Sequence, residues 1–371
     1  MLFRQGEWTV PRRGSLLIAG ALVLVGAGAV YVTTRLTPER VVITADPGEL
    51  GENLGIGPAI PPLRARGWLN TEGFDRAALE SRVVLFDFWT YSSVNCQRTI
   101  PWLRSWYERY GPDGLVIVGV HSPEFTFERD HANVARASEE LGVTWPVALD
   151  DGRDIWDAFE NRYWPAMYVF DRDSRLRFTH FGEGAYERTE DVLRALLDVP
   201  DDAPRAAPVE GADTVFSAHQ TPEVHLGSDR GAAMFLSPEE LSSGTRRYSA
   251  PDPFDVEGAA LTGRWKISGE YAESAAGKPA ALVSYVAAEA NAVLGGAGDG
   301  PVDTVVQLDG VPVPEAMRGR DLIVDAEGRT VVRVERPGLY RLVRGAPVDH
   351  HVLRLEPAAP GMRAYAFSFG G

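Results

Sequence analysis

Helical periodicity runs through the first half of this chain and then stops. Between Trp68 and Leu197 apolar runs alternate with helix-period stretches, whereas from Thr214 onward no stretch carries a convincing helical period. At roughly 150 residues per domain, 371 residues leave room for about two and a half domains, so the switch marks a change of architecture. In the first part Val83–Phe88 is a short apolar run with one interior Asp, Thr99–Tyr110 has aromatic residues at helical spacing, and Leu115–Val120 is a second apolar run. Strand, helix and strand in that order predict a parallel pair. A helical stretch over Phe127–Leu141, strands ending over Met167–Phe170 and near Leu176–Phe181, and a helix over Glu187–Leu197 complete an α/β domain over 68–197. A Pro-, Ala- and Asp-rich linker is expected over 198–213. The remainder, 214–371, shows short alternating strands with turn signals between them: Ala280–Ala287, Asp303–Leu308, Asp321–Asp325, Val331–Glu335, Leu339–Val343, Val352–Glu356 and Met362–Phe369. Seven or eight such strands predict an all-β sandwich.

Residues 1–67 fit neither architecture. Gly14–Thr34 carries no charge, and as a helix it would be about 31 Å long, close to the thickness of a bilayer's hydrocarbon core. Arg12 and Arg13 precede it, so the positive-inside tendency predicts a cytoplasmic terminus over 1–13 and a transmembrane anchor over 14–34. The bulk of the chain would then be extracytoplasmic, periplasmic or at the cell surface. Small residues around Ala27–Ala29 leave a cleaved signal peptide as the alternative, and no Cys stands near the end of the run to accept a lipid. Residues 35–67, rich in Pro and Gly, read as a linker. A net charge of −15 argues against a nucleic-acid partner, and an apolar content of 44% argues against a disordered chain.

Cys96 is the only cysteine, so an internal disulfide is impossible and neither a zinc nor a haem-attachment spacing exists. His350 and His351 are adjacent, so on a strand they face opposite sides and do not chelate one metal as a pair. Neither a metal nor a cofactor is expected. Around the cysteine the sequence reads Phe86-Asp87-Phe88-Trp89-Thr90-Tyr91-Ser92-Ser93-Val94-Asn95-Cys96-Gln97-Arg98-Thr99-Ile100-Pro101. This stretch resembles the active-site segment of the thioredoxin-like superfamily, most closely its extracytoplasmic TlpA-like and DipZ-like branch, which carries W-T-Y-x-C-x-N-C at the corresponding place. Asp87 stands where the superfamily keeps a buried carboxylate, and Pro101 where its active-site helix carries a proline. Gly119-Val120-His121-Ser122-Pro123-Glu124-Phe125 looks like the strand and loop that follow, and Tyr163-Trp164-Pro165-Ala166 lies where a cis-proline is placed.

The resemblance implies a thioredoxin fold over 68–197 in which Ser93 replaces the nucleophilic first cysteine and Cys96 keeps the second, resolving position. Ser93 has no disulfide chemistry and is expected to cap the following helix. A serine-hydrolase role would require a His partner, and nothing in the sequence brings His121 to it. Cys96 reads either as an inert buried thiol or as a monothiol activated in the first helical turn, which would need an external partner to release each mixed disulfide. Asp87 is the candidate for proton transfer. Trp164 and Pro165, with Trp89 and Tyr91, are the candidate substrate contacts, because a cis-proline loop exposes backbone with which a bound peptide can pair. Downstream, Thr221-Pro222-Glu223 through Trp265 to Ala364–Gly370 resembles the sandwich domain that follows the thioredoxin domain in that branch. Such domains resemble carbohydrate-binding modules, which makes Trp265, Tyr271 and Tyr285 candidates for stacking on a glycan unless they are core. Two functions compete: a thiol-disulfide oxidoreductase with at most monothiol activity through Cys96, and a redox-inactive module binding exported or envelope peptides or a glycan.

Overall fold

A computed structural model describes residues 57–207, 209, 220–298 and 300–370. The expected terminus over 1–13, the anchor over 14–34 and most of the first linker lie outside the described residues, as does the end of the second linker. Among the described residues no helix is long and apolar enough to cross a membrane.

The first part contains β1 (Gly67–Leu69), β2 (Val83–Trp89), α1 (Val94–Tyr110), β3 (Leu115–His121), α2 (His131–Leu141), β4 (Val147–Leu149), α3 (Asp154–Ala158), β5 (Ala166–Phe170), β6 (Leu176–Phe181) and α4 (Tyr186–Leu196). Its six-stranded sheet runs β1-β4-β3-β2-β5-β6. The expected parallel pair is present: Val83 lies opposite Leu115 and Trp89 opposite His121, while β5 joins β2 antiparallel. Every residue of β2 is buried. Its side chains alternate between two apolar clusters, as strand geometry requires. Val83, Leu85 and Trp89 pack with α1, α2 and α4. Val84, Phe86 and Phe88 pack with α3 and the 60–79 segment. Helices on both faces explain why β2 reads as a continuous apolar run rather than an alternating one. This is the thioredoxin-like α/β arrangement, and it leaves the carboxyl ends of β2 and β3 beside the amino terminus of α1.

The second part is all β: β7 (Val224–His225), β8 (Gly244–Tyr248), β9 (Gly258–Ile267), β10 (Ala272–Ser274), β11 (Ala280–Val286), β12 (Glu289–Gly296), β13 (Val302–Leu308), β14 (Val311–Pro312), β15 (Leu322–Val324), β16 (Thr330–Val334), β17 (Gly338–Val343), β18 (His350–Pro357) and β19 (Met362–Gly370). These 13 strands are linked by hydrogen bonds into one sheet. The long strand β9 makes the link: Gly258–Thr262 pairs with β11, whereas Gly263–Ile267 pairs with β8 and, over its last three residues, with β10. The changeover falls at Gly263, whose φ of +81° suits glycine, and a Cβ there would meet Pro279 Cα at 2.8 Å. Leu261, Val283 and Leu355 on one side and Ala272, Leu294 and Phe367 on the other bury into a single cluster.

The two parts meet directly. Phe125 and Phe127, from the loop after β3, pack edge-on against Tyr365 of β19 with ring centroids 5.2 and 4.9 Å away. Thr126 donates from its backbone N–H and its hydroxyl to Glu270. Arg98 of α1 pairs with Glu289 of β12, and Arg341 of β17 donates to Gln97 Oε1 at 2.9 Å.

Candidate functional site

The turn from β2 into α1 is built as a cap. Ser93 has an extended backbone (φ −85°, ψ 122°), and its hydroxyl accepts the Cys96 N–H at 3.3 Å, which uses one of the donors a helix start leaves unmatched. Cys96 is fully buried in the cluster shared by α1 and the sheet. Burial pushes its thiol well above the ordinary range; the Asp87 and Glu124 charges add to this, and hydrogen bonding from Ser93 and Thr90 opposes it without cancelling it. Asp87 lies on the same face of β2, 1% exposed, with no partner on Oδ1 among the described residues, and burial raises its pKa to about 8. His121 closes β3. Both its ring nitrogens are buried without partners among the described residues, and burial lowers its pKa to about 3. Its ring meets Trp89 edge-on at 5.1 Å and stacks on Tyr91 at 5.8 Å. The indole nitrogens of Trp89 and Trp145 are also unpartnered among the described residues, and both converge on Gly119, where a Cβ would lie 3.1 and 3.3 Å from them. The thiol is thus enclosed by packed side chains that favour neutral forms.

The Trp164–Pro165 peptide bond is cis. Pro165 is buried, and its carbonyl accepts the Gly182 N–H at 2.8 Å. Trp164 is half-buried. Its indole N–H donates to the Ser122 carbonyl at 3.0 Å, and its ring lies 4.2 Å from Trp156 and 4.9 Å from the Arg153 guanidinium. Trp164 therefore has one face on the core cluster that holds Cys96 and another on a cleft of about 250 Å³. That cleft is bounded by Glu124 and Arg153 from the α/β part and by His225, Arg230 and Glu270 from the β part.

Glu128 holds the rim together. It is fully buried, and its carboxylate accepts Ser92 N–H at 3.3 Å, Ser92 O–H at 2.5 Å, Glu124 N–H at 2.6 Å and Phe125 N–H at 3.0 Å. One buried carboxylate thereby joins the residue before the Ser93 cap to the loop that docks on β19.

Comparison with known proteins agrees with this geometry. Residues 57–179 match the AhpC/TSA family, and residues 221–370 match a thioredoxin-like C-terminal domain family. The chain is 32% identical over 325 residues to Protein DipZ of Mycobacterium tuberculosis, covering 86% of this chain and 43% of that protein. It therefore spans less than half the length of the DipZ relatives it matches. Over 132 residues it is 33% identical to thiol-disulfide oxidoreductase YkuV of Bacillus subtilis, covering 36% of this chain and 88% of YkuV. The chain belongs to the thioredoxin-like thiol-disulfide oxidoreductase family. Another similar protein, thiol-disulfide oxidoreductase ResA of Halalkalibacterium halodurans, is 24% identical over 130 residues, covering 34% of this chain and 70% of ResA.

In this thioredoxin-like protein Trp89, Tyr91 and Cys96 share one buried cluster with Trp164 of the cis Trp164–Pro165 pair packed against it, Asp87 acts on the Cys96 thiol from β2, and Ser93 caps the helix that carries it. Trp89 is a core residue, 1% exposed, and presents no open face for a substrate contact, whereas Tyr91, 5% exposed, borders a cleft of about 250 Å³ with Gln97 and Tyr340. The glycan candidates need correction as well. Trp265 and Tyr285 are fully buried; Trp265 donates its indole N–H to the Thr262 carbonyl, and Tyr285 stacks on Phe369 at 4.8 Å. A sugar has no access to either ring. Tyr271 is half-buried between Tyr365 and the Arg363 guanidinium, in the cluster where the two parts meet. His350 and His351 go to separate partners, Ser284 Oγ and Asp309 Oδ2. Sequence reasoning missed Glu128 and the burial of His121. His-Ser-Pro-Glu-Phe-Thr-Phe-Glu from His121 to Glu128 carries both, but two of the four donors to Glu128 come from Ser92, in a separate stretch of chain.

Proposed function

We propose that this protein is a membrane-anchored, extracytoplasmic thioredoxin-fold module that binds extended peptides of exported or envelope proteins at the Trp164–Pro165 loop, with Cys96 held as a shielded thiol. One contrast carries the reading: Cys96 is fully buried with its thiolate disfavoured, while Trp164, beside the cis-proline, borders an open cleft. Disulfide exchange by the family requires an exposed thiolate and a second thiol to resolve the mixed disulfide. Here Ser93 stands where the first thiol of the family pair is expected, and it serves as a helix cap. Peptide docking at the loop requires neither thiol, since backbone pairing supplies affinity and side-chain pockets supply specificity. The anchor is supported by the charge-free run Gly14–Thr34 behind Arg12 and Arg13.

Binding of unstructured peptides, followed by fluorescence anisotropy, is expected to weaken at least about tenfold in Trp164→Ala, the scale of losing one buried aromatic contact, and to be unchanged in Cys96→Ser. Equal loss in Cys96→Ser would contradict the reading. The wild-type chain is expected not to turn over insulin disulfides with a dithiol reductant, whereas Ser93→Cys should acquire a two-electron couple in a glutathione titration. A reporter joined after Thr37 should be active only outside the cytoplasm; activity inside would remove the anchor.

A further inference from the structure

The loop after β3 makes two sets of contacts that no catalytic step requires. Outward, Phe125 and Phe127 stack at 5.6 Å and both meet Tyr365, while Thr126 binds Glu270. Inward, Glu128 gathers four donors, two of them from Ser92. Ser92 adjoins Ser93, whose hydroxyl receives the Cys96 N–H. A fully buried carboxylate is costly to hold unless its acceptor sites are filled, and losing its partners leaves their donors unmatched. The carboxylate is fully buried, so the four donors and Glu128 form and break as a set.

We propose that Glu128 is a positioning residue that fixes the Ser92–Ser93 turn against the β part of the molecule and thereby keeps Cys96 enclosed. Docking of β19 on Phe125 and Phe127 sets the loop, the loop sets Glu128, and Glu128 sets the capped start of α1. Thiol exposure is then governed from the β part rather than by the thiol's own helix. This goes beyond peptide docking and rests on that reading only for the shielding of Cys96.

The test uses the full chain and the rate of Cys96 alkylation by iodoacetamide, measured without denaturant and at rising urea. Glu128→Ala is expected to accelerate alkylation about tenfold or more with little urea dependence, the mark of a local opening rather than global unfolding. Glu128→Gln, which keeps the length but turns an amide N–H towards backbone donors, should fall between Ala and wild type. Tyr365→Ala should also accelerate alkylation. The double variant Glu128→Ala/Tyr365→Ala should react no faster than Glu128→Ala alone, since both act through one chain of contacts. An unchanged rate in Glu128→Ala, a rise whose urea slope equals that of global unfolding, or strictly additive effects of the two substitutions would overturn the proposal. Fast alkylation of the wild-type chain would instead refute the shielding of Cys96 itself.

Discussion

Asp87 and His121 are titratable groups that folding holds neutral, and their signs are opposite. Asp87 has a folded pKa of about 8 against 3.8 for the free group, so the folded chain binds the proton more tightly than the unfolded chain. Its contribution weakens the fold as pH rises from about 4 to about 8, with a limiting slope of about 1.4 kcal/mol per pH unit. His121 is lowered from 6.5 to about 3, so its contribution is intact above the free value and is lost as pH falls through the interval below it. Urea titrations across this range are expected to show a flatter decline towards pH 8 in Asp87→Asn than in wild type. An unchanged slope would mean that the Asp87 carboxyl is solvated in solution. Ser93 acts by geometry rather than charge. Replacing it with Ala should cost about 1 kcal/mol of stability, as for other lost helix caps, and a thermal melt that does not move would show that the cap is dispensable.

At the scale of elements, what could be read from the sequence followed side-chain size. β2 and β3 announced themselves because Val83–Trp89 and Leu115–His121 are dense in bulky apolar residues, and β6 because Leu176, Phe178 and Phe181 are spaced among polar ones. The first turn of α1 showed through the resemblance, which puts the cap at Ser93, and not through periodicity, because Ser92, Ser93 and Asn95 carry no apolar period; the cap and two buried residues, Val94 and Cys96, hold it. β9 and β12 escaped notice for a related reason. Gly258-Ala259-Ala260 and Ala290-Asn291-Ala292 fill inward positions with small side chains, so the alternation that marks a strand is faint. β4 and α3, of three and five residues, are too short for any period to show. The loop after β3 is the element that most repays mutation. Phe125 is 1% exposed and packs against Tyr365, so Phe125→Ala should lower stability by about 3 kcal/mol, the usual scale for truncating a buried aromatic. A loss under about 1 kcal/mol, measured by urea unfolding, would indicate that the contact between the two parts carries little energy.

At the scale of the molecule, the α/β part followed by an all-β part was visible in the sequence because one half carries helical period and the other does not. Their contact was not. The residues that make it, Arg98 with Glu289 and Phe127 with Tyr365, are separated by up to about three-quarters of the described span and share no local signal. The β part rests on the loop after β3 and on α1, the helix that carries the fully buried Cys96. The most direct measurement is the rate of Cys96 alkylation by iodoacetamide in the folded, full chain as pH is raised from about 6 to about 10. The expected result is slow modification at neutral pH, with an apparent pKa above that of a free thiol and a rate that rises sharply on unfolding. Rapid modification near pH 7 with an apparent pKa below the free value would contradict the shielded-thiol account and make Cys96 an active monothiol.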